Sequence, residues 1–169
     1  MSANPLCAEA RLQEIADLDL LSGDVDPILQ SVAEQSAIHL GLPVSLVSVV
    51  LDEALHVAGS HGLTGLWLDE TKGHPVEWSF CATSVHTRAP YVVENAAVDT
   101  THATNPLVMN DGVRCYAGVP LISSRGFVLG NLCVVGMEPR AFTEVEMTYL
   151  TDMAAQAVAR IEQRRVVTP

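Results

Sequence analysis

Hydrophobic positions along this chain change their period several times, and each change marks an element. Leu12, Ile15, Leu18 and Leu21 recur near helical spacing with Glu9, Arg11 and Glu14 off that face, which predicts an amphipathic first helix over residues 6–21, ended by Ser22-Gly23. Asp26-Pro27 then supplies an N-cap and a first-turn proline. Ile28, Leu29, Val32, Ala33, Ala37 and Leu40 make the apolar face of a second helix that stops at Gly41 and Pro43. After that the period shortens. Residues 44–51 read as a near-continuous apolar strand, Asp52-Glu53 as a turn and 55–60 as the returning partner.

From 61 to 77 no period is sustained, and the glycines, Trp67, Asp69, Glu70, Lys72 and Pro75 read as a long loop. A short helix begins around Ser79, carries Phe80, Cys81, Ser84 and Val85, and ends at Arg88-Ala89-Pro90; residues 91–94 follow as a short strand. Residues 95–113 are irregular or weakly helical, polar enough to lie at the surface and long enough to form a lid.

The centre of the pattern is 115–137, CYAGVPLISSRGFVLGNLCVVGM. Two β-branched apolar runs flank Ser123-Ser124-Arg125-Gly126, where Gly126 can supply the positive φ of a tight reversal, so the stretch predicts a β-hairpin. Both arms are apolar on both faces and belong in the middle of a covered sheet. Asn131 and Cys133 share one face of the second arm, and Tyr116 joins them at the matching register. Downstream, Thr143 and Glu146 form a capping box, and Leu150, Met153, Ala154, Ala157, Val158 and Ile161 give the last helix its apolar face.

At 169 residues and 49% hydrophobic, the chain is read as one domain over 1–169: a core of about 26–163, an N-terminal helix within 1–25 and a tail at 164–169. A formal net charge of -11 without a basic stripe argues against nucleic acid and anionic membrane as partners. The absence of a cationic start with an apolar run, and of any membrane-length apolar segment, makes a cytoplasmic location the expectation. Cys7, Cys81, Cys115 and Cys133 lack C-x-x-C spacing, which excludes a zinc ribbon or thioredoxin motif and predicts free thiols.

The order YAGVPL, polar turn, VLGNLCVV, a proline-arginine-phenylalanine-threonine stretch and a terminal helix resembles the C-terminal half of a GAF domain. SFCATSVHTRAPYVVENAAVD resembles the helix and strand that precede it in bacterial GAF domains. The resemblance implies an α+β, profilin-like fold: a central antiparallel sheet with the first, second and last helices on one face and the short helix, lid and long loop on the other. It does not imply one ligand, because such domains bind cyclic nucleotides, haem, bilins, amino acids and other small molecules, and some bind nothing known. The cofactor therefore stays unassigned.

On that fold a ligand belongs between the hairpin face with Tyr116, Asn131 and Cys133, the helix with Cys81, Ser84 and Val85, and the lid with His102 and Asn105. By resemblance, Cys133 stands where some GAF domains place an acidic ligand contact; a buried cysteine also serves as a small core hydrophobe. Asn131 reads as a ligand contact or a hydrogen bond to the lid, since a buried amide without partners costs about 1–3 kcal/mol. Cys81 lies near a helix start that favours a thiolate, while Phe80 and Val85 supply an apolar setting that opposes one. Only Arg88 and Arg114 are nearby arginines, which favours a neutral or weakly charged ligand.

Histidines 39, 56, 61, 74, 86 and 102 lack an i, i+4 pair on one helix, so no metal site is expected. His86 and His102 are the haem candidates the resemblance implies, and the lack of a Cys-His pair argues against a covalent bilin. GAF-fold free methionine-(R)-sulfoxide reductases are matched at Cys81. Their catalytic cysteine falls near His102-Ala103-Thr104-Asn105, where this chain has none, and their acidic hairpin residues are replaced by Tyr116, Cys133 and Val135. The expectation is a non-catalytic, small-molecule-binding or redox-sensing regulatory domain signalling through a helical homodimer. The alternatives are a thiol-dependent enzyme related to those reductases, a haem-binding sensor, and a dimerisation module with a closed, empty pocket.

Overall fold

The computed structural model describes residues 8–20, 26–62, 73–75 and 80–163. Cys7, Leu21, Ser22-Gly23, most of the loop around Trp67 and the tail lie outside the described residues. The elements are α1 (Glu9–Asp17), α2 (Pro27–Leu40), β1 (Val44–Val50), β2 (Ala54–His61), β3 (Gly73–Pro75), α3 (Ala82–Thr87), β4 (Tyr91–Val93), α4 (Pro106–Met109), β5 (Cys115–Ile122), β6 (Val128–Gly136) and α5 (Glu144–Glu162). Among the described residues the strands form one antiparallel sheet in the order β3-β2-β1-β6-β5-β4. The expected hairpin holds its centre, with Gly126 at φ 87° in the turn and Gly126 N–H donating to the Ser123 carbonyl.

Because β1, β5 and β6 alternate without a polar face, the sheet is covered on both sides. Ala117, Val119, Leu121, Leu132 and Val134, with Val47 and Val49, pack under α1, α2 and α5. Leu46, Val50, Tyr116, Cys133 and Val135 pack on the opposite side with Phe80, Cys81 and Val85. The layers predicted for the helices are therefore observed.

Four details differ from the sequence reading. The first helix is shorter, and Arg11 and Glu14 are buried rather than turned to water. Arg11 Nη1 donates to the Val50 and Val128 carbonyls at 2.6 and 3.1 Å, and Glu14 accepts from Ser123 Oγ at 2.9 Å, so α1 is tied to strand ends by buried polar bonds. Ile28, assigned to the apolar face of α2, is 47% exposed; Ser36 is buried in that helix because its hydroxyl bonds back to the Val32 carbonyl. Gly73–Pro75 adds an edge strand to β2 where only loop was expected, since pairing there depends on the backbone of β2 rather than on any pattern in Gly-His-Pro. Finally, residues 95–113 are not a surface flap: Ala96, Leu107, Val108 and Val113 belong to the core beneath them.

The second and last helices are joined by one carboxylate. Asp26 caps α2, accepting from Ile28 N and Leu29 N at 2.9 and 3.4 Å, and its other oxygen accepts from Arg160 Nε of α5 at 2.9 Å. Burial pushes the Asp26 carboxyl up, but the two backbone donors and the Arg160 guanidinium outweigh it, and the group lies below the ordinary value of 3.8. A depressed carboxyl stabilises the fold fully above its unfolded value and loses that contribution as pH falls through the folded one. Asp26→Ala is expected to cost about 1–2 kcal/mol in urea unfolding at neutral pH. Asp26→Asn, which keeps a capping oxygen, is expected to cost about 1 kcal/mol or less because Arg160 is partly solvated. The difference between Asp26→Asn and the parent should vanish in titrations taken well below pH 3.8.

Candidate functional site

The face of the sheet turned away from the terminal helices carries an unusual set of side chains for a core. In register, Ser48 faces Asn131, Leu46 faces Cys133, Gly118 faces Cys133 from the other side, and Tyr91 faces Gly118. Gly118 leaves a recess that the neighbouring Tyr116 ring fills. A Cβ at Gly118 would stand 2.8 Å from Tyr116 Cζ and 2.8 Å from Asn131 Oδ1, and closer still to the tyrosine hydroxyl. The ring thus lies along its own strand, over Gly118.

Above it the aromatic rings form a stack. Phe80 is sandwiched between Tyr116, at 5.1 Å between centroids, and His102 of the 95–113 segment, at 4.1 Å. Tyr91 stands alongside, its hydroxyl sharing a 2.7 Å hydrogen bond with His102 Nε2. Burial lowers the His102 imidazole from its usual value, with the Asp99 carboxylate working against it, so the neutral ring is favoured in the stack. Burial and Asp99 together raise the Tyr91 phenol.

The polar atoms underneath are almost all committed. Tyr116 Oη donates to Cys81 Sγ at 3.2 Å, and Cys81 and Cys133 sulfurs are 4.0 Å apart. Complete burial and the two thiols hold the Tyr116 phenol well above its ordinary range. The contact with Cys81 and complete burial likewise hold the Cys133 thiol up. Asn131 Nδ2 donates to Ser84 Oγ at 2.9 Å, which corrects the expected bond to the lid: α3, not the lid, lies over Asn131. Asn131 Oδ1 has no hydrogen-bond partner although the residue is fully buried. Turning the amide over would only exchange one unpaired end for the other, since Ser84 Oγ reaches a single end of it.

All eight residues expected at the site are buried. Seven of them converge on this side of the sheet. Asn105 instead serves the chain's own backbone, its side-chain oxygen capping α4 through Leu107 N at 2.9 Å. Of the two histidines weighed for haem, His102 is engaged by Tyr91 and His86 is exposed. Ser48 and Gly118 were missed. The signal for Ser48 was a serine interrupting VSLVSVV; Ser48 Oγ donates to the Asn131 carbonyl at 3.2 Å. Cys115 alternates with Tyr116 and points to the other face. No group of three or more metal-ligating side chains occurs among the described residues. The groove of about 380 Å³ between α5 and β5, lined by Pro90, Pro120, Ala154 and Val158, has Thr151 as its one polar side chain and none of this chemistry.

A family model described as the GAF domain matches residues 24–161. A cyclic di-GMP phosphodiesterase of Pseudomonas aeruginosa is 28% identical over 158 residues, which are 92% of this chain and 26% of that protein, so the chain spans about a quarter of the curated relative it matches. The GAF domain of a phosphoenolpyruvate-protein phosphotransferase from Coxiella burnetii superposes with a TM-score of 0.69 at 16% identity, over 96% of this chain and 97% of that one. A free methionine-R-sulfoxide reductase from Neisseria meningitidis, solved with its substrate, gives a TM-score of 0.66 at 18% identity, over 98% and 94%. These structural likenesses concern the fold.

Gly118→Ala tests the packing. Because the Tyr116 ring is held between the sheet and Phe80, it cannot step aside freely, and the substitution is expected to cost about 1–3 kcal/mol in thermal or urea unfolding. An unchanged stability would mean that the ring does not occupy the recess.

Proposed function

Because the chain belongs to the GAF domain family, we propose that it is a non-catalytic regulatory domain that takes a neutral small molecule on the sheet face beneath α3 and the 95–113 segment. The observation that carries this reading is Asn131 Oδ1, a fully buried acceptor without a partner. Leaving such an atom unpaired costs about 1–3 kcal/mol, which a ligand N–H or O–H would recover. The flanking rings of Tyr116, Phe80, Tyr91 and His102 suit a flat, uncharged molecule. That the Pseudomonas relative extends well beyond the matched quarter supports a regulatory rather than hydrolytic role for this part of it. The 95–113 segment lacks the cysteine that reductase chemistry would use.

The β5–β6 turn gives such binding a route outward. Ser123 Oγ donates to Glu14 of α1 at 2.9 Å, and Ser124 N donates to Glu162 of α5 at 2.7 Å, so one turn at the start of β6 grips both terminal helices. A shift of β6 at Asn131 therefore reaches α1 and α5 together. These helices, with α2, are proposed to pair with a second copy; Ile38 of α2 and Val145 of α5 are 66% and 76% exposed.

Thermal-shift measurements against a panel of amino acids, nucleosides, cyclic nucleotides and haem test the first part. At least one uncharged compound is expected to raise the melting temperature of the parent, and to lose that effect in Asn131→Ala. A panel without effect, or a shift indifferent to Asn131→Ala, would overturn the assignment. For assembly, sedimentation at micromolar concentration is expected to show a dimer that Val145→Glu weakens; a monomer in both proteins removes the helical interface.

A further inference from the structure

Cys81, the residue before α3, and Cys133 in β6 are 52 positions apart in the chain, yet their sulfurs lie 4.0 Å from each other beneath the aromatic stack. Cys81, Cys115 and Cys133 are all unbridged. We propose that Cys81 and Cys133 are a dithiol–disulfide couple, closed by peroxide-class oxidants and reopened by dithiols, which locks α3 onto β6. The regulatory meaning of this couple rests on the reading of the same face as the regulatory site; its chemistry does not depend on a ligand.

The geometry assigns different parts to the two sulfurs. Tyr116 Oη donates to Cys81 Sγ at 3.2 Å, and a hydroxyl donor favours negative charge on the sulfur it reaches. Cys81 is therefore the thiol that gives up its proton and attacks. Its sulfur bonds to one peroxide oxygen, the O–O bond breaks, and the departing hydroxide takes a proton and leaves as water, giving the Cys81 sulfenic acid. Cys133 then loses its proton and attacks the Cys81 sulfur; the S–O bond breaks and a second water departs. Two thiols have lost two electrons, one peroxide has become two waters, and both thiol protons are in those waters. Closing the pair needs the sulfurs to approach by about 2 Å, to the roughly 2.05 Å of a disulfide.

The consequence is local. Ser84 of α3 covers Asn131, and Phe80, next to Cys81, is the middle ring of the stack. A covalent tether from Cys81 to β6 prevents α3 and Phe80 from lifting off the sheet face. Oxidation therefore holds the face shut, whereas the dithiol form is free to open it. Tyr116 acts here as a positioning residue for the Cys81 sulfur.

The test uses hydrogen peroxide on the whole chain under native conditions, followed by non-reducing peptide mapping. The expected product is a Cys81–Cys133 linked peptide with the loss of two hydrogens, reversed by dithiothreitol. Tyr116→Phe is expected to slow closure roughly fivefold, about the worth of one hydrogen bond, and to move the pH profile of the rate to higher pH, which a purely structural defect would not do. In Cys133→Ser the reaction should stop at a Cys81 sulfenic acid that a 1,3-dione traps; if that variant does not fold, the mapping of the parent alone decides. Absence of the linked peptide, pairing through Cys7 or Cys115 instead, or a product that dithiothreitol does not reverse would overturn the proposal. A linked peptide in a protein that binds nothing from the ligand panel would leave this couple standing and remove only the ligand reading.

Discussion

Burial of β6 on both faces is the constraint from which most of this structure follows. All of Val128–Gly136 is withdrawn from water, so its polar groups have to be met by the protein. Neighbouring strands meet the ladder, Ser45 and Ser48 hydroxyls reach the Cys133 and Asn131 carbonyls, and the Arg11 guanidinium crosses from α1 to the Val128 carbonyl. Placing an asparagine in such a strand is expensive unless its amide is also met. Ser84 meets half of it, and the unmet half marks where this domain departs from a closed core.

The two faces divide the work. Beneath the terminal helices the sheet presents mainly aliphatic side chains, which pack against α2 and α5 without directional demands. The opposite face holds rings, thiols, an amide and a hydroxyl under a six-residue helix and a segment of turns. Among the described residues fewer regular elements cover that side, so local opening there breaks fewer backbone ladders than opening on the helical side would. Polar ties then fasten the helical layer at the rim: Glu14 of α1 and Glu162 of α5 both hold the β5–β6 turn, and Asp26 at the start of α2 holds Arg160 of α5.

Much of this was legible from local pattern. The capping box at Thr143 and Glu146, the Asp26-Pro27 helix start and the Gly126 reversal are decided by a few adjacent residues, and each forms as its local chemistry requires. Period-two alternation in the hairpin also placed Tyr116, Asn131 and Cys133 on one face. Arg11 and Glu14 read as solvent-facing because a charge on an amphipathic helix ordinarily is. What buries them is the row of strand ends and the Ser123 hydroxyl, and those partners lie 39 to 117 positions away in the chain.

The sequence by itself determined most of the elements, the covered sheet and the sides on which the chemistry stands, because helix caps, turns and side-chain alternation act over a few residues. Tertiary structure alone decided which of those groups meet. Asn131 found Ser84 rather than the lid, Gly118 made room for a tyrosine ring, and two cysteines 52 residues apart came within 4.0 Å. Each of these depends on strand register and on how closely a short helix settles on the sheet. Those distances are set by the packing of the whole core, and no local pattern carries them.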